Sequence, residues 1–106
     1  MGFVKVARLS EISPMKMVEV NGNKILLVKL DNNVYAMEGI CSHKGAPLNE
    51  GSLNGKVLTC PWHQSQFDVT SGEIANVPFD QSSYGKVYHQ KKYEVILKKD
   101  EVFINV

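Results

Sequence analysis

Four side chains of this sequence are of the types and spacing that could share a metal: Cys41, His43, Cys60 and His63. They fall as C-x-H, then sixteen residues (44–59), then C-x-x-H. The first pair lies in Cys41-Ser42-His43-Lys44-Gly45-Ala46-Pro47-Leu48, the second in Cys60-Pro61-Trp62-His63-Gln64-Ser65-Gln66-Phe67-Asp68. The chain has 2 Cys and 3 His, so every thiol and all but one imidazole sit in this arrangement. Thiolates and imidazoles together suit zinc, or the irons of a mixed-ligand iron–sulfur cluster. Each loop offers one ligand of each kind, so a cluster between them could take both thiolates on one iron and both imidazoles on the other. A zinc site is the competing chemistry, although zinc modules usually group like ligands as C-x2–4-C and H-x3–5-H, and this chain mixes them. A C-x-H pair is too close to share a helix face, so loop backbone must carry it. Gly45, Pro47 and Pro61 provide backbone shapes for a tight cage, and loop N–H groups can point at the sulfurs.

At these residues the sequence resembles the Rieske ferredoxin family. That family's pattern, C-x-H-x-G, C-P-x-H, F-D and a later G, is met by Cys41, His43, Gly45, Cys60, Pro61, His63, Phe67, Asp68 and Gly72. The resemblance extends over nearly the whole chain. It implies an all-β, Rieske-type domain of stacked antiparallel β-sheets with a two-loop cluster-binding tip. It also implies one [2Fe–2S] cluster per chain on Cys41, His43, Cys60 and His63, with the His edges toward solvent. A third loop in such proteins covers the cluster, and its proline matches Pro78. Gly45, Trp62, Ser65 and Pro78 are thus the residues expected around the ligands. Respiratory members carry an extra Cys in each loop, joined as a disulfide; those positions are Ala46 and Trp62 here. Respiratory members also place a Ser and a Tyr hydroxyl near the cluster, which raise its potential. Ser65 stands at the first position and Phe67 at the second, so the resemblance is to the low-potential ferredoxins that feed oxygenases.

The elements that must position these loops read as strands. Short runs rich in Val, Ile, Leu and Tyr alternate with Asn, Gly and Asp, the mark of an antiparallel all-β domain. Strands are predicted at Phe3–Ala7, Met15–Val20, Lys24–Leu30, Val34–Met37, Lys56–Thr59, Tyr93–Leu97 and Glu101–Val106. Turns fall at Ser10–Pro14, Asn21-Gly22-Asn23, Asp31-Asn32-Asn33, Asn54-Gly55 and Lys98–Asp100. No segment longer than a turn or two has a helical period. Phe67 is expected in the core and Trp62 as a shield against water. His89 is given no role and is expected to be exposed. Asp80–Lys92 is left without a role, as an extension of the sheet or a partner contact.

The 106 residues suit one domain, 1–106, with its cluster-binding part at about 38–79. The formal net charge of +1 gives no field for nucleic acid or an anionic membrane. The C-terminal lysines Lys86, Lys91, Lys92, Lys98 and Lys99 are read as solvated. No apolar run is long enough for a signal peptide or a membrane anchor, so a cytoplasmic monomer is expected. Two cysteines make no disulfide framework. An oxygenase catalytic subunit needs a second iron on two His and a carboxylate, and only His89 is spare. The expected function is therefore one-electron transfer from a reductase to a terminal enzyme such as an oxygenase. The docking tip would be built from Lys44, Pro47, Leu48, Trp62, Gln64, Pro78 and Phe79. The alternatives are a small subunit of a larger reductase, of the nitrite reductase type, and a zinc-stabilised structural module.

Overall fold

Two-residue alternation punctuated by left-handed turns builds the first half of the chain. In the computed structural model, which describes residues 2–41, 45–62, 65–76 and 89–106, strands run at Phe3–Arg8 (β1), Met15–Val20 (β2), Asn23–Leu30 (β3) and Asn33–Glu38 (β4). Between β1 and β2 lies a single 3-10 turn, Leu9–Glu11. β2 and β3 pair with Val20 opposite Asn23. The connecting Asn21 and Gly22 both have positive φ, 53° and 81°, the two-residue geometry whose twist matches the flanking strands. Asp31, at φ 57°, turns β3 into β4.

The second half adds Ser52–Asn54 (β5), Val57–Thr59 (β6), Gln66–Asp68 (β7), Ile74–Asn76 (β8), Lys92–Tyr93 (β9), Val95–Lys98 (β10) and Glu101–Asn105 (β11). The strands form three sheets, in the orders β1-β11-β10, β2-β3-β4-β9 and β5-β6-β7-β8. Every pairing between these strands is antiparallel.

The sheet of β2, β3, β4 and β9 is the middle layer, and β3 shows why. Ile25, Leu26, Leu27 and Val28 are all 0% exposed, so this strand is covered on both faces. A continuous apolar run is the sequence form of such a strand. Leu26 and Val28 pack with Met37, Leu58, Phe67 and Val69, while Ile25 and Leu27 pack with Val34, Ala36, Val102 and Ile104. Burying one such side chain contributes roughly 1.5–3 kcal/mol. The first of these cores also contains Cys41, Ala46, Leu48 and Cys60, so the candidate ligands grow out of packed structure.

Three local readings change. The predicted strand Tyr93–Leu97 is broken at Glu94: β9 joins β4, while β10 joins β11 in another sheet. Two three-residue strands, β5 and β8, appear where no strand was predicted. Leu48, predicted on the docking tip, is 0% exposed. It opens a 3-10 turn, Leu48–Glu50, which rolls it into the core beneath Cys41, so it is no surface residue. Lys44, Gln64, Pro78, Phe79 and Lys86 lie outside the described residues, as do 80–88 of the unassigned segment. Among the described residues, no helix is long and apolar enough to cross a membrane.

Candidate metal centre

Loop one leaves the middle sheet just after β4. Gly39 N–H donates to Lys24 O at 2.8 Å and Leu48 N–H to Gly39 O at 2.8 Å, which anchors both ends of the loop. Ile40 bridges Pro47, Cys41 N–H donates to Ala46 O at 2.8 Å, and Gly45 N–H donates to Cys41 O at 2.9 Å. These bonds turn the backbone back on itself within a few residues. Gly45 makes the reversal possible with φ +80°, where a Cβ costs about 1–2 kcal/mol.

Loop two is the connection of the β6–β7 hairpin. Cys60 N–H donates to Ser65 O at 2.7 Å, Thr59 faces Gln66 in the ladder, and Gln66 Nε2 donates to Thr59 Oγ1 at 3.1 Å. Both loops are therefore closed by a backbone bond from their own cysteine.

The closures bring the two thiols together in the core. Cys41 is 3% and Cys60 1% exposed, and neither is joined in a disulfide. The Cys60 thiol is pushed far above the usual range, first by its hydrogen bond with the Cys41 side chain and then by burial, while a backbone contact from Trp62 pulls the other way. Two adjacent, buried thiols are a donor pair that a soft metal could bind by displacing their protons. The donor set fits iron of a thiolate-ligated cluster: two soft sulfurs side by side, with backbone N–H directed at one of them. His43 and His63 lie outside the described residues.

Of the residues expected around the ligands, Gly45 has the positive φ its place requires and Ser65 is fully buried. Trp62 is 47% exposed, more open than a water shield needs to be, and it presents its ring on the surface next to Cys60. Phe67 is 0% exposed, as a core residue should be. Ala46, at one disulfide position of the respiratory proteins, is fully buried in the core.

Asp68 has a separate structural task at the end of β7. Its Oδ1 accepts from Thr70 N–H at 2.9 Å and from Thr70 Oγ1 at 2.5 Å. Its other oxygen is 3.2 Å from Lys56 Nζ, and its carbonyl accepts from Gly72 N–H at 2.7 Å. The Thr70 hydroxyl, the Thr70 amide and Lys56 hold its carboxyl below the ordinary value. A lowered carboxyl stabilises the fold when ionised, and that contribution is lost as pH falls through the folded value. Asp68→Asn should thus cost about 1–2 kcal/mol at pH 7. Urea titrations of both proteins should show the gap closing below about pH 4.

Two residues carry structure that the sequence did not disclose. Gln90 is 3% exposed, and its side-chain Nε2 donates to Glu38 O at 3.0 Å and Ile40 O at 2.8 Å. His89 is exposed, as predicted, yet its Nδ1 accepts from Ile74 N–H at 3.0 Å, so it ties the edge strand β8. A buried glutamine and a surface histidine leave no periodic or motif signal.

Comparison with known proteins agrees with this architecture. The Rieske [2Fe-2S] domain family matches residues 2–98, and the chain belongs to that family. The cofactor of the family is one [2Fe–2S] cluster per chain. The ferredoxin component of naphthalene 1,2-dioxygenase/salicylate 5-hydroxylase systems from a Ralstonia species is 38% identical over 61 residues, 58% of this chain and 59% of that protein. Human apoptosis-inducing factor 3 is 32% identical over 94 residues, 89% of this chain but 14% of that much longer protein. Among solved structures, the ferredoxin of carbazole 1,9a-dioxygenase from Nocardioides aromaticivorans IC177 superposes with a TM-score of 0.85 at 27% identity, covering 98% of this chain and 97% of that one.

Proposed function

We propose that this chain is a one-electron carrier whose [2Fe–2S] cluster is held by Cys41 and Cys60 on one iron and by His43 and His63 on the other. The observation that carries the reading is the pair of buried, touching thiols at the closed ends of two loops. When bound, the cluster supplies reversible one-electron chemistry. The protein supplies loops closed by backbone hydrogen bonds, a backbone contact from Trp62 to the Cys60 sulfur, and an apolar floor of Ala46, Leu48, Leu58 and Phe67. The electron would be taken from a reductase and passed to a terminal oxygenase; the Ralstonia and Nocardioides relatives are named as ferredoxins of dioxygenase systems. Trp62, exposed beside Cys60, is the described residue best placed to meet such partners. The compartment proposed is the cytoplasm, where thiols stay reduced.

The test is a purified, air-oxidised sample. Two irons and two acid-labile sulfides per chain are expected, with the low average g of a Rieske centre after reduction. Equimolar zinc without sulfide would end the reading. Phe67 offers no hydroxyl, and the disulfide pair is missing, so the midpoint should fall in the lower half of the Rieske range of about −150 to +300 mV. Redox titration checks it, and a midpoint near the upper limit contradicts it.

The match to a stretch of the much longer apoptosis-inducing factor 3 favours a second reading, in which such a domain is one part of something larger, here a small subunit of a reductase. Stable co-purification of a tagged chain with a reductase, at fixed stoichiometry, would select that reading over free diffusion.

A further inference from the structure

We propose that Gln90 is a positioning residue for the Cys41 ligand loop, and that it tunes the redox behaviour of the site through that loop. The inference rests on the reading of Cys41 as a cluster ligand.

The juxtaposition begins where the β4–β9 ladder runs out. Ala36 and Met37 pair with Tyr93 and Lys92. Glu38 N–H still donates to Lys91 O at 2.8 Å, and Lys91 N–H donates to Glu38 Oε1 at 2.9 Å. Beyond this point, among the described residues, the chain pairs no further with β9 as it continues through Gly39 and Ile40 to Cys41. The Gln90 side chain takes over. Its Nε2 carries two hydrogens and meets two carbonyls, Glu38 O and Ile40 O, at 3.0 and 2.8 Å. The second carbonyl belongs to the peptide bond that leads directly into Cys41, so the amide fixes that peptide plane, and with it the direction in which Cys41 leaves the backbone.

The other side of Gln90 is equally fixed. Its N–H donates to Gly72 O at 2.7 Å, and Gly72 is so close that a Cβ there would lie 2.3 Å from Gln90 O. Gly72 in turn donates to Asp68 O at 2.7 Å, at the end of β7 in the sheet that carries Cys60. Gln90 therefore spans the two halves of the centre, the Cys41 loop through its side chain and the Cys60 sheet through its backbone. A buried primary amide is the side chain suited to the place, since two donors on one nitrogen match two acceptors without a charge. Leucine or methionine would fill the space and leave both carbonyls short of a donor.

The experiment compares wild type, Gln90→Met, Gln90→Leu and a remote control, Val102→Ala, in the opposite core. Each is purified with its cluster. Folding is read by circular dichroism, the site by EPR g-values and redox titration, and grip on the cluster by iron release to a chelator. For a folded Gln90→Met or Gln90→Leu we expect displaced g-values, a one-electron equilibrium moved about threefold or more against the same mediator, and iron release about tenfold faster. Val102→Ala should keep wild-type g-values and midpoint at comparable loss of stability. Glutamine variants with wild-type g-values and midpoint overturn the proposal. So do glutamine variants that all fail to fold, because Gln90 would then be a general determinant of the fold. A wild-type protein without a Rieske signal instead overturns the ligand assignment, which the same samples report separately.

Discussion

Replacing Gly72 by alanine should cost this protein about 2–5 kcal/mol, a large share of the 5–15 kcal/mol that a domain of this size usually has. Two independent effects add. Gly72 has φ +77°, a left-handed conformation in which a side chain costs about 1–2 kcal/mol. A Cβ there would also lie 2.3 Å from the carbonyl oxygen of Gln90 and 3.2 Å from its carbonyl carbon. Those atoms are backbone, held by the Gln90 N–H to Gly72 O bond, so they cannot rotate aside as a long side chain would. Forcing extra volume against such a wall costs about 1–3 kcal/mol more. Gly45 is the internal control. Its φ is +80°, but among the described residues a Cβ there meets only Ile40 Cγ2, at 3.9 Å, so Gly45→Ala should lose only the backbone part. Urea unfolding of the two apo variants separates the effects, since stability follows the midpoint at constant slope. Equal losses in the two variants would show that the contact with Gln90 is soft.

Both glycines belong to the pattern legible in the sequence, but only the structure distinguishes their reasons. The same holds elsewhere. Asn21-Gly22 announced its hairpin because a two-residue turn demands positive φ and few residues supply it. Ile25–Val28 announced a strand, though not that both its faces are covered. The break at Glu94 left no trace, for a physical reason. Tyr93, Val95 and Leu97 all turn toward the same core, so the inward–outward alternation continues unbroken while the hydrogen-bond partner changes from β4 to β11. Alternation reports which face is buried and says nothing of which strand lies alongside. Strands of three residues, such as β5 and β8, are too short to alternate at all. Leu48 was misplaced because a lone apolar residue among Pro, Asn and Glu reads as loop surface, whereas one helical turn is enough to bury it. The ligand pattern was legible because it depends on side-chain type and spacing. Its support by Gln90 was not, because a buried polar residue is defined by partners far along the chain.

Cys60→Ser should abolish cluster binding while leaving a folded protein, and the two halves of that statement have different origins. The fold survives because the β6–β7 connection is closed by backbone and neighbouring groups: Cys60 N–H to Ser65 O at 2.7 Å and Gln66 Nε2 to Thr59 Oγ1 at 3.1 Å. Neither uses the sulfur. Placing a hydroxyl where the residue is 1% exposed and packed among Leu58, Phe67 and Ala46 costs about 1–3 kcal/mol, which the domain can absorb. The cluster does not survive because of what the site asks of its ligand. The thiol at 60 already resists deprotonation, through its hydrogen bond with Cys41 and through burial, and only a strong bond from soft iron to thiolate can displace that proton. A serine hydroxyl is harder and far less acidic, so the same displacement fails. Iron and sulfide should drop to near zero with native circular dichroism, and the red-brown colour should go with them. Trp62→Ala, a change at an exposed neighbour that ligates nothing, should keep all three. A Cys60→Ser protein carrying wild-type iron and sulfide would remove Cys60 from the ligand set, and with it the reason these two loops are held face to face.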